Sequence, residues 1–185
     1  MNGEKLSLAL RRMFAQSLTV SLNDIFADDD IKVVPIDGLG SVDTSDAIFL
    51  TISSHQFRVF VIVHFSKEQE KEFYAITSGS QKEQDDSAAV TDYLLEFGNN
   101  LCGVLKRELG KFVPALGMST PNMLSRSSIE LLKEFEIFDS EFKQVEYHDK
   151  PIMCVSYHFL PNDNNDIEIE LIQEEIADSG ELELF

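Results

Sequence analysis

The 185-residue sequence has no tryptophan, two cysteines, four histidines, and 15 basic residues against 33 acidic ones. Each shortage narrows the chemistry open to the chain. Cys102 and Cys154 form no CxxC pair and are too few for a disulfide framework. His55, His64, His148 and His158 lack the ligand spacing of a zinc site, so structural or surface roles explain them better. A formal charge of −18 argues against a nucleic-acid partner, whose phosphates require clustered Lys and Arg. No apolar run approaches the roughly 20 residues of a membrane span, so membrane insertion is not expected. The opening residues, Met1 to Lys5, carry no charged segment leading into an apolar one, which gives the expectation of a cytoplasmic protein without a secretory signal.

With 43% hydrophobic and 26% charged residues, the sequence reads as a globular chain long enough for one domain and short for two. The expected division is one domain over residues 1–172 and an acidic tail over 173–185. Residues 161–185 hold nine acidic and no basic residues, half of the net charge, and read as part strand and part frayed end.

Leu6, Leu10, Met13, Phe14, Leu18, Leu22, Ile25 and Phe26 recur at helical spacing and predict a first helix from Lys5 to Phe26. Residues 31–36 and 47–52 look like strands around a glycine-containing loop. Residues 57–65 form a β-branched and aromatic run suited to a central strand. Ser66 and Gln69 have the spacing of a capping box and open a second helix that ends before Gly79. A third helix runs from about Ser87 to Leu109, with Gly110 as its stop. Residues 113–120 connect to a short extended piece introduced by Pro121. Ser127 and Glu130 could cap a further helix through Phe135, or Ile129 to Phe138 could be strand. Strands are expected over 141–148, 152–160 and 166–172. The fold class is α+β, a largely antiparallel sheet with two long helices packed on one face.

The third helix carries the strongest functional signal. At about 100° per residue, Asp92, Glu96, Asn99, Gly103 and Lys106 fall within an arc of about 80°. Val90, Leu94, Phe97, Leu101, Val104 and Leu105 occupy the opposite side. Asn is a poor helix former, and a mid-helix glycine costs about 1 kcal/mol relative to alanine. A local cost kept on one face of a strong helix points to work done by that face.

The run Glu96-x2-Asn99-x3-Gly103-x2-Lys106-x2-Leu109, preceded by Asp92 and followed by Pro121, resembles the CheX and CheC group of chemotaxis phosphatases. The resemblance takes in the long first helix, the β-branched strand running through Ser66 into a helix, the motif helix and a final strand pair. It implies a sheet flanked by two long helices and an activity on the phosphorylated form of a CheY-like response regulator. The gap from Asn99 to Pro121 is one residue shorter than the family pattern, and residues 126–140 read as an insertion. Val20 and Asn23 stand where duplicated members carry a second Glu and Asn, so the single-site CheX type is implied. Pairing as a homodimer is carried over from the same resemblance.

On this reading Glu96 and Asn99 are the catalytic residues. Asn99 orients the attacking water, as the glutamine of GTPases does, and Glu96 pairs with a lysine of the partner. A solvent-facing carboxylate suits pairing better than general-base work. Asp92, Gly103, Lys106 and Pro121 support docking or shape the motif. The chain itself is expected to bind no cofactor, with Mg²⁺ held by the partner regulator. A module of the same fold that binds a regulator without hydrolysis is the alternative. The acidic stretches at 28–30 and 163–166 lack the Gly and terminal Glu of a calcium loop and read as turns.

Overall fold

The computed structural model describes residues 3–26, 31–39, 44–78 and 87–162. The stretch at 28–30, the expected strand at 166–172 and the acidic tail lie outside the described residues.

Helix α1 (Gly3–Asn23) is followed by β1 (Ile31–Ile36), β2 (Asp46–Ser53) and β3 (Phe57–Phe65). Then come α2 (Lys67–Ser78), α3 (Ser87–Gly110), β4 (Gly117–Met118) and β5 (Asn122–Ser125). A short α4 (Arg126–Ile129) continues into a 3₁₀ turn (Glu130–Glu134), and β6 (Asp139–Tyr147) and β7 (Lys150–Pro161) complete the order. Among the described residues the strands form one seven-stranded sheet, ordered β1-β6-β7-β3-β2-β4, with β5 also paired to β2. Every pairing is antiparallel.

Period-2 alternation divides each central strand between two faces. Val59, Val61, Val63 and Phe65 of β3, with Met153, Val155, Tyr157 and Phe159 of β7, join the core beneath the helices. That core takes in Leu10, Phe14, Leu18 and Leu22 of α1, Phe73 of α2, and Leu94, Phe97, Leu101 and Leu105 of α3. Phe73 touches both Phe26 (5.9 Å between ring centroids) and Phe97 (5.5 Å), so α2 lies on the same side as the two long helices.

The capping box of α2 forms as its sequence implies. The Ser66 amide donates to Gln69 Oε1 (2.9 Å), and the Gln69 amide donates to Ser66 Oγ (3.2 Å). The turn between β6 and β7 consists of His148 and Asp149, both with positive φ (48° and 61°). That conformation joins two antiparallel strands tightly, which explains the acidic neighbour of His148 as turn chemistry.

Residues 126–137 depart from both sequence expectations. They form neither the capped helix through Phe135 nor a strand, but one α turn running into a 3₁₀ turn. The Ser125 hydroxyl bonds the hydroxyls of Ser127 (2.9 Å) and Ser128 (3.2 Å) instead of capping the backbone. Without a cap, a four-residue helix has little to propagate it. The segment lies over the second face of the sheet, where Phe135 meets Phe60 edge-on at 5.8 Å.

Candidate functional site

The 24 residues of α3 place the motif. Leu94, Phe97, Leu101, Leu105 and Leu109 are buried to 2% exposure or less. At about 1.5–3 kcal/mol for each such side chain, turning these five out of the core would cost about 7.5–15 kcal/mol, as much as the 5–15 kcal/mol that holds a typical domain folded. The helix therefore presents one face only.

Gly98 sets its height above the sheet. A Cβ at that position would lie 3.1 Å from Ile48 Cγ2 and 3.2 Å from Leu50 Cδ1 of β2. On another side, Asn100 Nδ2 lies 3.5 Å from Asp24 Oδ2 beyond the end of α1. Asn99, between them in sequence and about 100° round the helix from each, is turned to the sector that neither sheet nor α1 fills. The N-terminal turn of α3 is tied to α2 by Glu70, a buried carboxylate that accepts from Thr91 Oγ1 (3.1 Å) and Lys67 Nζ (3.0 Å).

Glu96 and Asp92 are exposed, and Asn99, Gly103 and Lys106 are half-buried. Glu96 and Asn99 stand three residues apart, a rise of about 4.5 Å along the axis. No side-chain hydrogen bond or ion pair joins either to another described residue. The structure brings Asp92, Glu96, Asn99, Gly103 and Lys106 onto one face and leaves the carboxylate and the amide uncommitted there.

Gly103 and Gly98 play opposite parts. The nearest atom to a Cβ at Gly103 is Arg107 Nη1, at 4.0 Å, so that stretch of helix is open. Arg107 thereby adds a cation to the face that the spacing did not single out. Lys106 lies close enough to the buried Cys102 for its charge to be felt there. Burial nonetheless pushes the thiol up to about 12, which removes Cys102 from consideration as a nucleophile.

Pro121 belongs to another element, the connection between β4 and β5. β4 pairs with β2 at Ile52 and Ser53, and β5 pairs with it at residues 46–49, so Thr120 and Pro121 form the break between them. Ser119 closes the gap on one side, donating its amide to Thr51 O (2.9 Å) and accepting the Thr51 amide at Oγ (2.9 Å). A proline without an N–H is tolerated on such an edge.

Among the described residues, no group of three or more His, Cys, Asp or Glu is placed to hold a metal ion. No helix among them is long and apolar enough to cross a membrane. The sequence reading missed Gly98, whose closeness to β2 is invisible without the partner strand. It also scattered two histidines, His64 and His158, that the sheet register brings together.

The architecture matches solved structures of chemotaxis proteins. The CheX of a CheX–CheY–BeF3–Mg²⁺ complex from Borrelia burgdorferi superimposes with a TM-score of 0.65, covering 80% of this chain and 96% of that one at 14% identity. This is the CheX/CheC fold. CheX from Vibrio vulnificus shares it with a TM-score of 0.60, covering 81% and 95% of the two chains at 15% identity. The FliM middle domain from Vibrio alginolyticus has it too, with a TM-score of 0.51 and 8% identity over 82% and 90%. No protein-family model matches the sequence, and no curated protein matches it. At these identities the CheX/CheC likeness is one of fold.

Proposed function

We propose that the chain is an aspartyl-phosphate phosphatase acting on a CheY-like response regulator in chemotaxis or related two-component signalling. The observation that carries this reading is the pair Glu96 and Asn99, one turn apart and uncommitted on the exposed face of α3, in a fold that a CheX bound to CheY also adopts.

Hydrolysis of an acyl phosphate requires a water in line with the scissile bond and compensation of charge on the equatorial oxygens. The Asn99 amide can accept a hydrogen from the water at Oδ1 and donate from Nδ2 toward the phosphoryl group. Glu96 pairs with a lysine at the regulator's site and fixes the register of docking. Mg²⁺ on the regulator would supply neutralisation of the phosphoryl oxygens. This chain supplies placement. Gly103 leaves room for the partner's backbone, Asp92 and Lys106 frame the docking face, and Pro121 shapes the neighbouring edge. The protein works in the cytoplasm as a homodimer.

The test is phosphate release from a phosphorylated receiver domain. Asn99→Ala and Glu96→Ala should leave the fold intact and slow release by about two orders of magnitude. Normal release by both variants would remove the assignment. A second reading, a regulator-binding module without hydrolysis, is favoured by the occurrence of the fold in the FliM middle domain. It predicts a stable complex in which the phosphate lifetime is unchanged.

A further inference from the structure

Arg107 carries an uncommitted charge on the side of α3 that holds Glu96 and Asn99. It is exposed in the last turn of the helix, and no ion pair or side-chain hydrogen bond joins it to another described residue. The chain does not lack carboxylates, with 33 acidic residues against 15 basic ones. Arg11, Lys32, Lys67, Lys111, Lys143 and Lys150 are each paired with an Asp or Glu. The positions three and four residues from Arg107, where an exposed helical cation ordinarily finds its acid, hold Gly103, Val104, Gly110 and Lys111. The adjacent Glu108 is taken by Lys111 (2.6 Å).

The guanidinium lies back along the helix. Arg107 Nη1 would stand 4.0 Å from a Cβ at Gly103, so the charge borders the open stretch there. Gly103 follows Asn99 by four residues, about 6 Å along the axis and about 40° round it. Two donors bonded to different oxygens of one phosphoryl group stand roughly 5–8 Å apart, the sum of two hydrogen bonds of about 2.9 Å and the group between them. The guanidinium and the Asn99 amide are therefore spaced for one tetrahedral anion. The other charges of the face agree with that placement. Asp92 and Glu96 precede Asn99, and Lys106 and Arg107 follow it, so an anion seated at the amide meets cations on its C-terminal side.

Resting on the phosphatase reading above, we propose that Arg107 is a further catalytic residue, its guanidinium donating to the phosphoryl oxygens of the partner's acyl phosphate while Asn99 holds the water. The water oxygen bonds to phosphorus as the bond from phosphorus to the aspartyl oxygen breaks. The electron pair of that bond leaves with the aspartyl carboxylate, and both water hydrogens stay on the released dihydrogen phosphate. Arg107 gives and takes no proton. Its planar fork of N–H donors stabilises the negative charge spread over the equatorial oxygens.

The experiment uses the full chain and a CheY-like receiver domain phosphorylated with acetyl phosphate. Arg107→Ala should keep the wild-type urea midpoint and lower kcat for phosphate release about 10-fold to 100-fold, with KM within about threefold. Arg107→Lys, which keeps the charge and loses the fork, should recover part of that loss. Binding to the same receiver with and without beryllofluoride, a mimic of the phosphoryl group, gives a second readout. Beryllofluoride should tighten binding of the wild type more than that of Arg107→Ala. A loss confined to KM, or equal weakening toward both forms of the receiver, would make Arg107 a contact to a partner carboxylate and overturn the proposal. A normal kcat in Arg107→Ala beside an active wild type would overturn this proposal alone. A wild type that leaves the phosphate lifetime unchanged would remove the phosphatase reading with it.

Discussion

Gly98 on α3 and Ile48 on β2 approach so closely that a methyl group on the glycine would stand 3.1 Å from Ile48 Cγ2. Gly103, five residues on, has only the end of the Arg107 side chain within 4.0 Å. One helix thus holds two glycines with opposite reasons for being there. Gly98→Val forces a branched side chain against Ile48 and Leu50 and should cost about 1–3 kcal/mol. Gly103→Ala meets open space and gains helix propensity, so it should stabilise the fold by up to about 1 kcal/mol. Urea midpoints of the two variants check the contrast, which fails if both move the same way.

The residues that made this helix legible are those whose burial follows from spacing alone. Leu94, Phe97, Leu101 and Leu105 repeat at three and four residues, and only one orientation buries them all, so the outward position of Glu96 and Asn99 follows. Residues 57–65 gave their central position in the sheet for the same reason, since nothing else covers both faces of such a run. Gly98 was not legible because its meaning depends on a strand some fifty residues earlier in the chain. Residues 126–137 were misjudged because Ser127 and Glu130 have capping spacing, while the neighbouring serines bond one another instead. The candidate site was only half legible, since the phosphate and metal it is proposed to meet belong to another molecule.

Tyr157 and Asp139 form the buried polar tie between sheet and α1. The Tyr157 hydroxyl donates to Asp139, whose other oxygen accepts from Arg11 Nη2 at 2.8 Å. Burial, and then the hydrogen bond to Asp139, push the Tyr157 hydroxyl well above the ordinary tyrosine range, so it remains a donor throughout the accessible pH range. Tyr157→Phe leaves a buried carboxylate short of one donor and should cost about 1–3 kcal/mol. Arg11 is half exposed, and Arg11→Ala should cost less, below about 1 kcal/mol, because water replaces the guanidinium. Denaturant midpoints in which Arg11→Ala loses more than Tyr157→Phe would contradict this ranking.

His64 and His158 also make the fold sensitive to acid. Burial, reinforced by the charges of His158 and Arg126, lowers His64 to about 3, and burial lowers His158 to about 4. In the unfolded chain both return to about 6.5. Below that value the unfolded state takes up protons that the folded state refuses, so stability falls as pH drops from about 6.5 toward 4 and then 3. Each histidine contributes a slope of up to about 1.4 kcal/mol per pH unit. The urea midpoint should decline between pH 7 and pH 5, before most carboxylates titrate. His158→Phe should flatten that decline, and an unchanged slope would show that His158 is not held neutral by the fold.

Glu96 and Asn99 should separate kinetically, because the proposed roles act at different moments. A water-orienting amide contributes in the transition state, so Asn99→Ala should lower kcat by about two orders of magnitude with KM within about twofold. A docking carboxylate contributes to the complex before and during reaction, so Glu96→Gln should raise KM by about tenfold and lower kcat less. Salt adds a second criterion. The wild-type KM should rise with ionic strength as the ion pair is screened, and Glu96→Gln should blunt that rise. Asn99→Ala should retain the wild-type salt dependence, since it removes no charge. Steady-state rates against a phosphorylated receiver at two salt concentrations decide the matter. If Asn99→Ala instead raised KM alone, the amide would belong to docking and the in-line water would need another holder.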